Sequence, residues 1–73
     1  KEINIDDFKK IEENLKTRYI KEFLKSKGIK YSKNKIDDIV EFINSEGSKE
    51  IDLDKENILK KDYTKFFIVK RDV

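Results

Sequence analysis

Lysines are concentrated in one stretch of this chain, where they could bind an anionic ligand. Residues 16–35 contain eight basic residues and a single acid, Glu22, a net charge of +7, although the whole 73-residue chain has a net charge of only +2. The segments on either side, 1–15 and 36–56, have net charges of −2 and −6. A basic cluster of this density is typical of a phosphate-binding surface. The simpler interpretation is a solvated face that the acidic segments neutralise.

The basic cluster covers a predicted helix, a turn and the start of a second helix. Gly28 ends the first helix because glycine adopts the left-handed conformation without steric cost, and Ile29 then packs back on Leu24 as in a Schellman motif. Lysines at the start of a helix interact unfavourably with the positive end of its dipole. A bound anion removes this conflict, because the lysines and the free backbone N–H groups then both point at the anion. The charge pattern therefore nominates the cations of this segment, which are Arg18, Lys21, Lys25, Lys30, Lys33 and Lys35. Tyr31 either stacks on a sugar or base or anchors the loop.

Apolar residues at helical spacing predict the elements that hold this turn. Residues 1–26 contain either one long helix or two, with Asn4 as the first N-cap and Thr17 as the candidate cap of a second helix. Two helices are favoured. The clearest amphipathic pattern, Ile36, Ile39, Val40 and Ile43, predicts another helix from Lys33 to Ser45. Ser32 or Asn34 caps this helix, and Gly47 closes it.

The C-terminal third combines strand and helix signals. Ile51 and Leu53 alternate with acids and predict a short strand, whereas Asp54 resembles the N-cap of a further helix that contains Leu59. The run 66–69 is aromatic and β-branched and favours a strand. We expect a ribbon joining Glu50–Leu53 to Lys65–Lys70 across that helix; an all-helical ending is the alternative.

These elements together predict one domain over residues 1–73. The fold class is mostly α, a small helical domain of three to four helices with a short C-terminal β ribbon. The chain does not begin with Met, so whether it is a fragment of a longer protein is left open.

Composition excludes several function classes. The chain has no Cys and no His, which excludes disulfides, thiolate or imidazole zinc sites and nucleophilic catalysis by Cys, His or a Ser–His pair. The spacing Asp52, Asp54, Glu56 begins like a calcium loop but has Asn57 at the sixth position and Tyr63 at the twelfth, where Gly and Glu are required. We expect no enzyme activity, no cofactor and no metal. No apolar run could span a bilayer, and we expect an intracellular protein with no membrane partner.

The segment from Glu22 to Ile29, EFLKSKGI, followed by Ser32, Lys35 and the apolar stripe from Ile36, resembles the SAP and HeH families of helix-extended loop-helix modules. The resemblance covers residues 17–43. The loop is about one residue longer than is usual in SAP modules, and Lys33 occupies the place of a frequent Gly. Members of these families bind DNA, or in the LEM branch a protein, through the loop and the start of the second helix. The contacts that the resemblance implies are Lys30, Ser32, Lys33 and Lys35, flanked by Lys25 and Lys27.

The sequence therefore predicts a small module that binds duplex DNA with weak sequence preference. Its candidate nucleic-acid-binding residues are Lys25, Lys27, Lys30, Tyr31, Ser32, Lys33 and Lys35. One alternative is a winged-helix or helix-turn-helix domain in which residues 32–45 form the recognition helix, although the acids on that helix count against it. Another is a protein-interaction or regulatory domain of a larger protein, which exposed aromatic residues at positions 66–68 would favour.

Overall fold

A computed structural model describes residues 2–71 and contains three helices and four strands. In chain order these are strand β1 (Glu2–Asn4), helices α1 (Ile5–Lys9), α2 (Glu13–Ser26) and α3 (Lys33–Asn44), and strands β2 (Lys49–Asp52), β3 (Asn57–Lys61) and β4 (Lys65–Lys70). All strand pairs are antiparallel, and the strands lie in the order β1, β4, β3, β2. The prediction of a mostly helical domain is therefore wrong, because the strands form a complete sheet to which the beginning of the chain contributes.

Strand β4 lies inside the sheet and pairs with both β1 and β3. Its residue Phe66 is opposite Ile3 of β1 and Lys61 of β3. Successive side chains of a strand point to opposite faces, so Phe66 and Leu59 point to the same face, where both are buried. Phe67 points to the other face and is only half-buried. The fold thus has two layers, with the helices packed on one face of the sheet.

The hydrophobic core joins the sheet to the helices through aromatic rings. The ring of Phe66 has no exposed surface and packs edge-to-face against Phe8 of α1 and Phe23 of α2, with centroid distances of 5.5 Å and 5.9 Å. Such edge-to-face pairs are favoured by the quadrupoles of the rings. Helix α3 contributes its predicted stripe, in which Ile36, Ile39 and Ile43 are buried.

Two of the four strands were not predicted. β1 has only three residues, too few for an alternating pattern to be seen. In β3 the buried positions are Asn57, Leu59 and Lys61, so polar residues occupy positions at which a strand pattern requires apolar ones. The expected ribbon between the strands now identified as β2 and β4 does not form, because β3 lies between them. The prediction of a strand at the C-terminal run is confirmed.

Two aspartates form side-chain-capped turns in the C-terminal half. Asp54, predicted as a helix cap, lies in the turn between β2 and β3, where its Oδ1 accepts hydrogen bonds from the backbone N–H groups of Glu56 and Asn57 at 2.8 Å and 2.7 Å. Asp62 accepts from the N–H groups of Thr64 and Lys65 in the next turn. An aspartate side chain can cap either a helix or a turn, and this ambiguity explains the incorrect helix.

The end of α3 is capped by a buried lysine of the sheet. The ammonium group of Lys61 donates hydrogen bonds to the carbonyl oxygens of Ile43, at 3.2 Å, and of Ser45. A cation at this position also complements the negative end of the helix dipole. Burial, with the nearby Lys9 and Lys49, lowers the pKa of Lys61.

Gly47 has a φ of 92° but lies three residues beyond the last helical residue, so the prediction that it closes α3 is wrong.

We predict that Phe66→Ala lowers the free energy of unfolding by about 3–5 kcal/mol, because it leaves a cavity beside the rings of Phe8 and Phe23. For a chain of this length that is a large part of a total stability of roughly 5–10 kcal/mol. Equilibrium urea denaturation measures it. Phe67→Ala, on the other face of the same strand, is the matched control and should lower the free energy of unfolding clearly less. Equal losses in the two variants would contradict the assignment of the two faces.

The capped turns also predict how stability depends on pH. Hydrogen bonds from the backbone of Glu56, then from the side chain of Asn57, hold the pKa of Asp54 below its usual value of 3.8, and the N–H groups of Thr64 and Lys65 lower the pKa of Asp62 in the same way. The unfolded state therefore binds more protons near this pH, and the contribution of both carboxylates is lost as the pH falls from about 3.8 through the lower folded values.

Asp54→Asn combined with Asp62→Asn should retain most of the turn geometry, because the amide oxygen still accepts hydrogen bonds, while removing both titrations. We expect urea midpoints between pH 5 and pH 2 to vary less with pH in this double variant than in the wild type. An unchanged pH profile would show that neither carboxylate contributes in this way.

Candidate nucleic-acid interface

The turn that ends α2 has the geometry predicted for it. Gly28 has a φ of 70°, the N–H of Ile29 donates to the carbonyl of Leu24 at 3.0 Å, and the N–H of Gly28 donates to the carbonyl of Lys25 at 3.1 Å. These two bonds define a Schellman motif. Ile29 and Leu24 are both in the core. The predicted Schellman turn is confirmed, and it directs the chain from α2 into the loop 29–32.

The start of α3 is capped by Ser32. Its Oγ accepts a hydrogen bond from the backbone N–H of Lys35 at 3.2 Å, so of the two predicted caps Ser32 rather than Asn34 takes this role. The first turn of α3 contains Lys33 and Lys35 and no acid. The N–H groups of a first turn have no acceptor within the helix. The cap satisfies the N–H of Lys35, and the exposed charge of Lys33 lies beside the remaining donors of this turn.

The basic residues between positions 16 and 35 divide into exposed and packed ones. Six of the eight have exposed side chains: Arg18, Lys21, Lys25, Lys27, Lys30 and Lys33. We call these six residues the basic surface. It extends along α2 through the loop to the first residue of α3. Arg18 and Lys21 extend it beyond the predicted site. The steps of three residues from Arg18 to Lys21 and of four from Lys21 to Lys25 are the signal that identifies them.

Lys16, the first of the two packed basic residues, belongs to the core layer of α2. Its side chain is buried, its ammonium group lies 3.1 Å from the carboxylate of Glu13, and it stands over the ring of Phe8 at 5.7 Å from the centroid.

Helix α2 begins at Glu13, with Glu12 at the N-cap position, and so includes Thr17. The expectation of two helices is correct, but the predicted cap at Thr17 is wrong.

Lys35, a predicted site residue, is half-buried and engaged within the protein. Its ammonium group donates a hydrogen bond to the carbonyl oxygen of Leu53, which ties the start of α3 to the turn between β2 and β3. Asp54 of that turn is close enough for the charge of Lys35 to contribute to its lowered pKa, after the larger effect of the hydrogen bonds of the turn. Unlike the exposed lysines of this segment, Lys35 is held within the protein, because a carbonyl of another element is within its reach.

The loop also places Tyr31 beside the basic surface. Its side chain is 36% exposed, and it lies between Lys30 and the cap Ser32. A ring with that exposure leaves one part packed and another part open to a ligand. The Oγ of Ser32, in contrast, already accepts the capping bond, so its remaining capacity is the donation of its hydroxyl hydrogen.

An acidic face borders the basic surface on α3. Asp37, Asp38 and Glu41 are all exposed and begin one turn after the start of the helix. The carboxylates of this face repel the negative charges of a polyanion. An anionic ligand is therefore favoured at the loop and the tip of α3 and disfavoured along the rest of the helix.

The aromatic run of β4 does not form an exposed patch. Phe66 is fully buried, and Phe67 and Ile68 are half-buried. Among the residues that the structure describes, the large apolar side chains with the most exposure are Leu15, Tyr19, Tyr31 and Tyr63. The exposed aromatic tail that would favour a protein-interaction domain is therefore not observed.

We predict that Gly28→Ala lowers the free energy of unfolding by about 1–2 kcal/mol, since an L-residue with a side chain is strained at a φ of 70°. Gly28→Asn is the matched control and should cost less, because Asn tolerates this conformation. Thermal and urea denaturation of both variants provide the measurement. Equal losses in the two would show that the left-handed turn is not what limits this position.

No helix within residues 2–71 combines the length and apolar character needed to cross a bilayer. Comparison of the chain with protein families, with curated proteins and with solved structures found no match. The geometry of the basic surface and of the tip of α3 is therefore the basis for the functional conclusion.

Proposed function

We propose that this chain is a non-enzymatic module that binds duplex DNA through its phosphates. The observation that supports this proposal is the exposure of Lys25, Lys27, Lys30 and Lys33 around a helix tip whose first turn has no acid. The salt bridges of the described residues give none of these four ammonium groups an acidic partner, so their charges are available to attract an anionic ligand. A nucleic-acid backbone supplies one.

The proposed mechanism has two parts. The lysines of the loop and of the end of α2 neutralise phosphates and release condensed counterions, which supplies affinity that does not depend on sequence. The backbone N–H groups at the start of α3 then position one phosphate, because both the free donors and the helix dipole favour an anion there. Tyr31 can add contact with a sugar or base.

The acidic face of α3 argues for contact by the tip alone. A recognition helix lies in the major groove with its exposed residues close to base edges and phosphates. In this protein those residues would be Asp37, Asp38 and Glu41. Contact through the tip of α3 alone keeps these acids away from the phosphates and so avoids their repulsion. It also makes few base contacts, which implies weak sequence preference. It is also the arrangement that the resemblance to SAP and HeH modules implies, and we favour it over the winged-helix alternative for this reason.

Binding to a random-sequence duplex, measured by fluorescence anisotropy at several salt concentrations, tests the proposal. Three or four phosphate contacts predict a slope of log K against log salt of about −3 to −4. Lys30→Glu combined with Lys33→Glu should make the slope about two units shallower and abolish binding at physiological salt. Both side chains are exposed, so circular dichroism should show an unchanged fold.

The matched control is Lys9→Glu combined with Lys10→Glu. These exposed lysines make the same charge change but precede α2, whose 14 residues separate them from the loop by about 20 Å. The control variant should keep most of the affinity. A wild-type slope near zero, or an equal loss in both double variants, would overturn the proposal.

A further inference from the structure

The segment that carries the proposed phosphate site is exposed between two points of attachment. Residues 30–34 are all exposed, from the loop into the first turn of α3. Ile29, before them, is buried in the core, whereas Lys35, after them, is half-buried and precedes the buried Ile36. The ammonium group of Lys35 donates a hydrogen bond to the carbonyl oxygen of Leu53, 18 residues further along the chain. Lys35 is therefore the first residue after the exposed segment that is attached to the sheet.

The acceptor of this hydrogen bond is itself held in place by several contacts. The side chain of Leu53 is only 2% exposed and belongs to the core, and its backbone N–H donates to the carbonyl of Asn57 at 2.9 Å. The turn that follows is capped by Asp54, whose Oδ1 accepts from the N–H of Asn57 at 2.7 Å. Because the carbonyl of Leu53 has a fixed place in the sheet, the bond from Lys35 fixes the start of α3 relative to the sheet.

The local requirements of the helix do not explain a lysine at this position. Ser32 is the N-cap of α3, so Lys35 is at position N3. Glu or Gln is favoured at N3, because its side chain can bond back to the N–H of the cap residue, and an acid there also complements the helix dipole. An acid would, however, repel an anionic ligand and compete with it for N–H donors. Lys35 directs its charge to the sheet and does not compete for these donors.

We propose that Lys35 is a positioning residue of the DNA-binding surface, which sets the place of the first turn of α3 through its bond to Leu53 without contacting a phosphate. This inference rests on the proposed function. A phosphate held by backbone N–H groups requires these donors at defined distances and angles. A site that is ordered before binding also loses less conformational freedom when the ligand arrives. The resemblance to SAP and HeH modules implies a direct contact from Lys35 instead.

The salt dependence of binding distinguishes positioning from direct contact. Each phosphate that a lysine neutralises adds about one unit to the slope of log K against log salt, because condensed counterions are released. Loss of a phosphate contact therefore makes the slope shallower, whereas loss of a positioning bond lowers the affinity by a similar factor at every salt concentration. Lys33 is in the same turn of α3, is exposed and belongs to the basic surface. It is the matched comparison for Lys35.

We expect Lys35→Met to lower the affinity for a random-sequence duplex by roughly fivefold or more, while the slope changes by clearly less than one unit. Methionine retains an unbranched stem but cannot donate the hydrogen bond. Lys33→Met, the matched control, should make the slope shallower by about one unit. Lys35→Arg retains a cationic donor and should keep most of the wild-type affinity. Fluorescence anisotropy over a salt series measures all of these effects.

Amide hydrogen exchange in the absence of DNA tests the same bond independently of binding. The N–H of Lys35 donates to the Oγ of Ser32 at 3.2 Å, and the N–H of Ile36 donates to the carbonyl of Ser32 at 3.0 Å. Exchange of these two amides reports the opening of the first turn. Relative to the amides of β4 in the same sample, it should be about tenfold faster in Lys35→Met and unchanged in Lys33→Met. The reference to β4 separates local opening from global unfolding.

Four results would each overturn this inference alone. A slope as shallow in Lys35→Met as in Lys33→Met would show that Lys35 contacts a phosphate, and an unchanged affinity despite faster exchange would show a purely structural role. Unchanged exchange, or an affinity as low in Lys35→Arg as in Lys35→Met, would show that the bond to Leu53 does not hold the first turn. A wild-type slope near zero is a separate outcome, which would overturn the proposed function and this inference together.

Discussion

The packing of the Phe66 ring is the contact on which the rest of this structure depends. Phe66 lies in an inner strand of the sheet, opposite Ile3 on one side and Lys61 on the other, and its ring meets Phe8 and Phe23 from two helices. A chain of 73 residues can build only one modest core. Here one aromatic residue joins the first strand, the first two helices and the last strand, so distant parts of the sequence become stable together.

Charged residues contribute to this small core as well as to the surface. Lys16, Lys35 and Lys61 place their aliphatic stems against the interior and give their ammonium groups to a carboxylate or to backbone carbonyls. Long side chains of this kind cover apolar surface while their polar ends find partners. In a chain with 47% charged residues, this use of lysine separates structural cations from those left for a ligand.

Helix α2 presents three sides of different chemical character. One side faces the core, one presents basic residues, and one presents Leu15, Tyr19 and half-buried Phe23 beside β1. In the proposed function the basic side and the loop contact DNA.

The sequence by itself determined several local features: the Schellman turn at Gly28, the N-cap Asn4 and the core stripe of α3. It favoured a strand at the C-terminal run and left the cap of α3 open between Ser32 and Asn34. Each depends on residues within a few positions of one another, whose conformational preferences are local. The basic segment was also visible in the sequence, together with most of the residues that prove to be exposed.

Only the tertiary structure determined how the strands pair and which lysines are engaged within the protein. β1 is recognisable only through its pairing with a strand more than sixty residues away, and β3 places Asn57 and Lys61 where a pattern requires apolar residues. Lys35 is engaged by the carbonyl of Leu53, a partner 18 residues away in the chain that the sequence does not indicate. Strand pairing and the partners of a long flexible side chain depend on which distant segments meet in space, and sequence spacing does not contain that information.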